Sequence, residues 1–284
     1  MEQYKQFPRT EVSGVSLPRM LIGTNWLVGY SHTSHAADMD IRETNKTACD
    51  LYPTLKVFTN YGIDAILGVT SIDKILVDSI KYFYDKTGIE LIQIDTPWMN
   101  MDDNPTARAE AEAIIKQSAK AGSKFCFPHH SSVEQLVNKN KRTIDRLPDY
   151  LSMIRDHGMI PGLSAHMPEL IMYSDWNEYD VQTYVQLFNC VGFLMQIEIE
   201  SIIRIIHNAK KPVMTIKPMA AGRVSPYVGL TFNWNVLRAQ DMITVGVKTH
   251  WEAHEDIEIS FAALEKRLPD LEGRSSPNKT EIIK

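Results

Sequence analysis

The chain of 284 residues has only three cysteines, Cys49, Cys126 and Cys190, an odd number at wide spacing. That excludes a disulfide framework. Cys126 and Cys190 sit in apolar runs and read as buried thiols in a reducing, cytoplasmic compartment. No apolar run approaches the ~20 residues needed to cross a bilayer, and Met1–Gln6 carries no apolar signal core. Charge of one sign is scarce too. A net charge of −5 leaves no electrostatic footprint for nucleic acid or an anionic membrane. The densest basic run, Asn138–Arg142, reads as a solvated loop or helix end. There is no Pro/Gly/Ser-rich linker, no low-complexity tract and no clear internal repeat. These absences leave a cytoplasmic chain acting on a small molecule, with a homo-oligomer as an open alternative.

What is present is apolar content of 44%, enough for one large core. It is arranged as eight short apolar runs: Met20–Asn25, Asp64–Thr70, Ile89–Pro97, Lys124–His130, Ile160–His166, Tyr184–Asn189, Pro212–Pro218 and Met242–Lys248. Most are followed by a stretch of helical period, for example Ala107–Ala121 and Ile202–Ala209. Strands alternating with helices predict βαβ units and a parallel sheet. Eight such units fit a single (β/α)8 barrel over residues 1–271, which typically takes ~250 residues. No Gly-rich fingerprint follows the first strand, which argues against a doubly wound open sheet. Residues 272–284 form a polar, frayed tail.

In such a barrel the carboxyl ends of the strands converge on the ligand. Asn25 and Trp26, following the first strand, are candidate substrate contacts, as is Asn189 from the sixth. Asp95 ends the third strand, His129 and His130 the fourth, and His166 the fifth. Lys217 ends the seventh. These five are the candidate catalytic residues, because imidazoles and carboxylates at strand ends serve as acid, base or metal ligand near neutral pH. Asp95, His130 and His166 together suit Zn, Mn or Fe. No carboxylate at the later strand ends completes a larger ligand set, so the metal-free reading, an Asp–His acid–base pair, is preferred and no cofactor is favoured. Lys217 is suited to a substrate carboxylate or a developing enolate. Gly222, Arg223, Gly246 and Lys248 lie where barrels often hold a phosphate.

Three helix starts carry signals. Ser131–Glu134 and Thr249–Glu252 have the spacing of a capping box, and Pro168 stands near the first turn of another helix. The amino end after Thr249 favours anions. Gly29–His35 is a long loop placed to fold over the barrel mouth. Within it, His32 and His35 read as solvated.

Five segments, in this order and spacing, resemble the aldo/keto reductase superfamily: Arg9–Thr24, Arg155–Glu169, Tyr184–Asn189, Pro212–Arg223 and Val245–Ile257. The match is good from Met153 to Leu264 and weak between Trp26 and Ser152. The resemblance implies a (β/α)8 barrel with an amino-terminal hairpin across its bottom, and NADPH as cofactor. It also implies an Asp and a Tyr after the second strand, a Lys on the third and a His on the fourth. Here the second strand is followed by no Tyr, the third ends in Asp95, and only His129 or His130 remains. The expectation is therefore an inherited barrel with changed chemistry. It would be a lyase, isomerase or hydrolase acting on a small polyhydroxylated or carboxylated substrate. The first alternative is an NADPH-linked reductase whose proton donor is an unexpected residue such as Tyr30. The second is a non-catalytic binding barrel.

Overall fold

The computed structural model describes residues 4–271; the polar tail expected at 272–284 lies outside them. Seven of the eight expected strands are single segments: Met20–Gly23, Ala65–Gly68, Ile92–Asp95, Phe125–Cys126, Tyr184–Leu187, Val213–Ile216 and Met242–Gly246. The fifth is split into Ile160–Pro161 and Leu163–Ala165. All pair in parallel and in chain order. Ile160–Pro161 bonds to the fourth strand and Leu163–Ala165 to the sixth, so the ring closes through Gly162. The fold is a (β/α)8 barrel.

Alternation along each strand sorts two cores. Leu21, Ala65, Leu67, Ile94, Phe125, Phe127, Val185, Met214 and Met242 fill the barrel interior. The residues between them, such as Ile22, Ile66, Tyr184 and Ile243, face the helices. Val12 and Leu17 join the interior group. They belong to the antiparallel hairpin Arg9–Val12/Val15–Pro18, which closes the barrel bottom. The helices start where local chemistry satisfies their free amides. Asp73 caps Lys74–Thr87, Asn104 precedes Pro105 at the head of Pro105–Lys120, and the Thr249/Glu252 box opens His250–Glu265.

Gly162 shows why the fifth strand is interrupted. A Cβ there would lie 2.3 Å from the Phe127 ring inside the barrel, so the strand passes the ring only without a side chain. Gly162→Ala is expected to cost about 1–3 kcal/mol through overpacking. Thermal denaturation should show this as a drop of about 2–4 °C per kcal/mol. An unchanged midpoint would show that the ring moves aside freely.

Candidate active site

At the carboxyl ends of the strands a cavity of about 500 Å³ opens. Four glycines, Gly23, Gly68, Gly222 and Gly246, border it among strand-end side chains such as Leu67, Thr96, Val185 and Thr244. Gly68 has φ +154°, and a Cβ on it would collide with the Thr24 hydroxyl. Gly222 and Gly246 face the Trp26 indole, leaving a slot beside it. Two hydroxyls on the wall, those of Thr24 and Thr244, are buried and without a hydrogen-bond partner. A buried hydroxyl left unpaired costs free energy, and both are closed off by the packing around them, Thr24 Oγ1 by Gly68.

The opposite wall is cationic and aromatic. The rings of His130 and His166 stack with centroids 3.7 Å apart and planes 19° from parallel. His129 leans on His130 at 4.2 Å and on Trp98 at 5.6 Å. His129 is the N-cap of a single helical turn, His130–Val133. Its Nδ1 accepts the Ser131 amide at 3.3 Å and shares a 2.7 Å hydrogen bond with Ser131 Oγ. An accepting Nδ1 places the ring proton on Nε2. Burial, then the neighbouring His130 and Lys217 charges, push His129 down to about 4; the same causes push His166 down to about 3. Both are neutral N–H donors at neutral pH. Burial also lowers the Lys217 ammonium, to about 8.

Glu134 holds this wall together. Its Oε1 accepts the backbone amides of His166 at 2.5 Å and Met167 at 2.8 Å, and Oε2 faces His130 Nδ1 at 3.9 Å. Burial raises its pKa, but hydrogen bonds from His130 and those two amides outweigh it and hold the carboxyl below its usual range. The expected Ser131–Glu134 capping box does not form: His129 occupies the cap, and Glu134 ties the fourth strand's loop to the fifth's. The other expected box is real but closes its own amides. Glu252 Oε2 accepts from Lys248 N at 2.6 Å and Thr249 N at 3.1 Å, so that helix start is already supplied with an anion.

Of the residues expected from sequence, Asn25, Trp26, His129, His130, His166, Lys217, Gly222 and Gly246 border this one cavity. Four do not. Asp95 is 0% exposed and points outward from the barrel. There it accepts the Ser71 hydroxyl at 2.5 Å and is bonded by the Ser71 amide and the Thr70 hydroxyl. Thr96, the next residue, faces the cavity instead. Asn189 organises its own turn, accepting from Val191 and Phe193 amides and donating to Phe193 O. Arg223 bonds the carbonyls of His32 and Ala220 and lies over the Phe193 ring at 4.0 Å. Lys248 pairs with exposed Asp40 at 2.7 Å. Among the described residues no three His, Cys, Asp or Glu side chains gather as a metal-holding group. The Zn, Mn or Fe expectation for Asp95, His130 and His166 is thereby corrected: the carboxylate is behind the barrel wall.

The loop after the first strand lies at the barrel mouth, as its length suggests. Tyr30, Ser31 and His32 all line the cavity. The loop is fastened by Ser31 N and Oγ to Asp38 (2.7 and 2.6 Å) and by Thr33 Oγ1 to Ala221 O (3.0 Å). The Arg42 guanidinium sits 5.6 Å from the Tyr30 ring centre. His32 is therefore part of the cavity rim rather than an unattached loop residue. Glu134, Thr24 and Thr244 had no usable signal in the sequence, since hydroxyls and a glutamate three residues after a serine are read as caps or packing.

No family model matches this chain, and no curated protein matches it. Solved structures do. A putative aldo-keto reductase from Pseudomonas aeruginosa superposes with a TM-score of 0.67 over 93% of this chain and 98% of its own, at 11% identity. A glycerol dehydrogenase from Gluconobacter oxydans gives 0.56 over 94% and 98%, at 10% identity. An aldo-keto reductase from Klebsiella pneumoniae, in complex with NADPH, gives 0.52 over 94% and 92%, at 12% identity. At these identities the likeness is one of fold, an aldo-keto-reductase-like barrel. It nonetheless corrects two expectations. The lyase, isomerase or hydrolase reading loses its Asp95–His pair to the barrel wall, and the barrels that superpose on nearly the whole chain include several named as aldo-keto reductases and a glycerol dehydrogenase. The preference for no cofactor or a metal gives way as well, since one such barrel holds NADPH.

Proposed function

We propose that this barrel is a carbonyl reductase that draws its reducing equivalents from NADPH. The observation that carries the reading is the cavity's lining: Gly23, Gly68, Gly222 and Gly246 beside Trp26, with the proton-bearing Tyr30 and His129 bordering the same space. The glycine-bordered part of the cavity, beside Trp26, suits a flat, amide-bearing ring. When bound, the reduced nicotinamide supplies a hydride to a carbonyl carbon.

The chain's own residues do the rest. His129 donates a hydrogen bond from Nε2 to the carbonyl oxygen and polarises it while remaining neutral, as a depressed imidazole can. Tyr30 delivers the proton to that oxygen, so the C=O π bond gives way to new C–H and O–H bonds. Trp98 and the stacked imidazoles shed water around the developing charge, which strengthens each hydrogen bond there. Three unpaired thiols, one of them fully buried, fit work in the reducing cytoplasm.

The test is direct. Quenching of protein fluorescence by NADPH is expected to saturate below millimolar cofactor, and a panel of aldehydes and ketones should then consume it stoichiometrically. Absence of binding at millimolar NADPH would reject the reading.

A further inference from the structure

Lys217 is built into the cavity at a conformational cost. It adopts φ +59° immediately before Pro218, and Ala220, Ala221 and Gly222 follow at +50°, +54° and +81°. Non-glycine residues in this left-handed region cost of order 1 kcal/mol each and persist where the surroundings enforce them. The result is an ammonium bordering the cavity that has no hydrogen bond or ion pair among the described residues. Other cations of the chain behave differently. Arg9, Arg155, Arg238, Lys248 and Arg267 each hold a carboxylate.

What surrounds Lys217 is equally one-sided. Its charge is felt by His32, His129 and His166, which reach it from three different strand ends. Of the carboxylates at or behind the cavity wall, Glu134 spends its oxygens on the His166 and Met167 amides and on His130, Glu252 accepts from the Lys248 and Thr249 amides, and Glu255 and Asp256 line the cavity from the last helix; none of them is among the charges acting on Lys217. A partly desolvated cation without a counter-ion is unfavourable, and here it is ringed by N–H donors. One lysine without an arginine fork suits a single negative charge rather than a phosphate.

We propose that the substrate is a small oxo acid whose carboxylate is received by Lys217. This deepens the reductase reading and rests on it for the carbonyl. The carbonyl carbon gains hydride from the reduced cofactor, its oxygen gains the Tyr30 proton, and the product is the hydroxy acid with the carboxylate unchanged. Lys217 thus selects the substrate, while Tyr30 and His129 act on the reacting oxygen.

The anion site is testable without turnover. Oxamate, a non-reducible carboxylate, and its uncharged counterpart oxamide are titrated into the full chain, with quenching of Trp26 and Trp98 fluorescence as readout. Oxamate is expected to bind in preference to oxamide, and Lys217→Met to weaken oxamate about 10- to 100-fold, the worth of a charge-assisted hydrogen bond, with oxamide unaffected. Equal binding of the two probes, or equal oxamate affinity in the variant, would overturn the proposal. Should the variant not fold, the unaltered protein decides. Oxamate affinity should fall as pH rises past about 8, where Lys217 loses its proton. The neighbouring His32, His129 and His166 are held below their ordinary range and Glu134 stays ionised, so none of them titrates there. A flat profile between pH 7 and about 9 would overturn it. Oxamate binding without reduction of any oxo acid would retain the anion site and remove the reductase reading. Reduction of uncharged aldehydes alone, with no oxamate binding, would do the reverse.

Discussion

Tyr30→Phe is expected to lower kcat for carbonyl reduction by about 10²- to 10⁴-fold, the usual contribution of a positioned general acid. NADPH affinity should stay within about twofold, because the phenol's oxygen has no part in holding the cofactor. The reasoning is geometric. Tyr30 borders the cavity from a loop fastened at both ends. Its own amide bonds Asn25 O at 2.9 Å, and the next residue is locked to Asp38 through both backbone and hydroxyl. Phe preserves the ring's contact with Arg42 and the loop's bonds, so a loss of rate reports the missing proton. Single-turnover kinetics at saturating NADPH, with fluorescence titration beside it, separates the two quantities. A kcat within about threefold of the unaltered enzyme would assign the proton to another group in the cavity.

The sequence made the barrel readable because its signals are local. Each strand is an apolar run a few residues long ending at or near a polar side chain or a glycine, and the order of eight such runs admits few topologies. The candidate site was only half readable, and the reason is parity. Along the third strand Ile94 faces the barrel interior, so Asp95 faces the helices and Thr96 the cavity. An error of one residue at a strand end moves a side chain to the other surface. The cluster His129, His130 and His166 survived that uncertainty because adjacent residues at one strand end both reach the mouth. Glu134 did not. Its role depends on amides of the fifth strand's loop, which are 32 and 33 residues away in sequence, and its spacing from Ser131 suggested a purely local bond. Asn189 shows the converse: a residue at a strand end whose side chain is consumed by its own turn.

The same cluster that forms the site should make the fold acid-labile, beginning at higher pH than carboxylate titration alone would. His129 and His166 are held neutral in the folded protein, pushed down to about 4 and about 3. In the unfolded chain an imidazole titrates near 6.5. The unfolded state therefore takes up protons first as pH falls. The stability these two groups contribute is complete above pH ~6.5 and is lost progressively as pH falls through about 4 for His129 and about 3 for His166. Everything facing them acts in a known direction. His130 and Lys217 resist further positive charge on both imidazoles, and His129 does so on His166. Glu134 alone opposes that, and it titrates only at lower pH because its bonds hold it below the usual carboxylate range. Both imidazoles are partly solvated, so the free energy is discounted to on the order of 2–4 kcal/mol between pH 7 and 4. That is a fall of roughly 5–15 °C in Tm. The decisive comparison is His129→Gln/His166→Gln against the unaltered chain by calorimetry between pH 4.5 and 7, where carboxylates contribute least. The double variant is expected to have a lower Tm at pH 7 but a flatter profile, because amides keep hydrogen-bonding capacity and cannot take up a proton. Parallel profiles for the two proteins would mean that the imidazoles protonate in place without cost. The wall would then be wet rather than desolvated, and the neutral His129 assigned to the carbonyl oxygen would have to be replaced by an imidazolium.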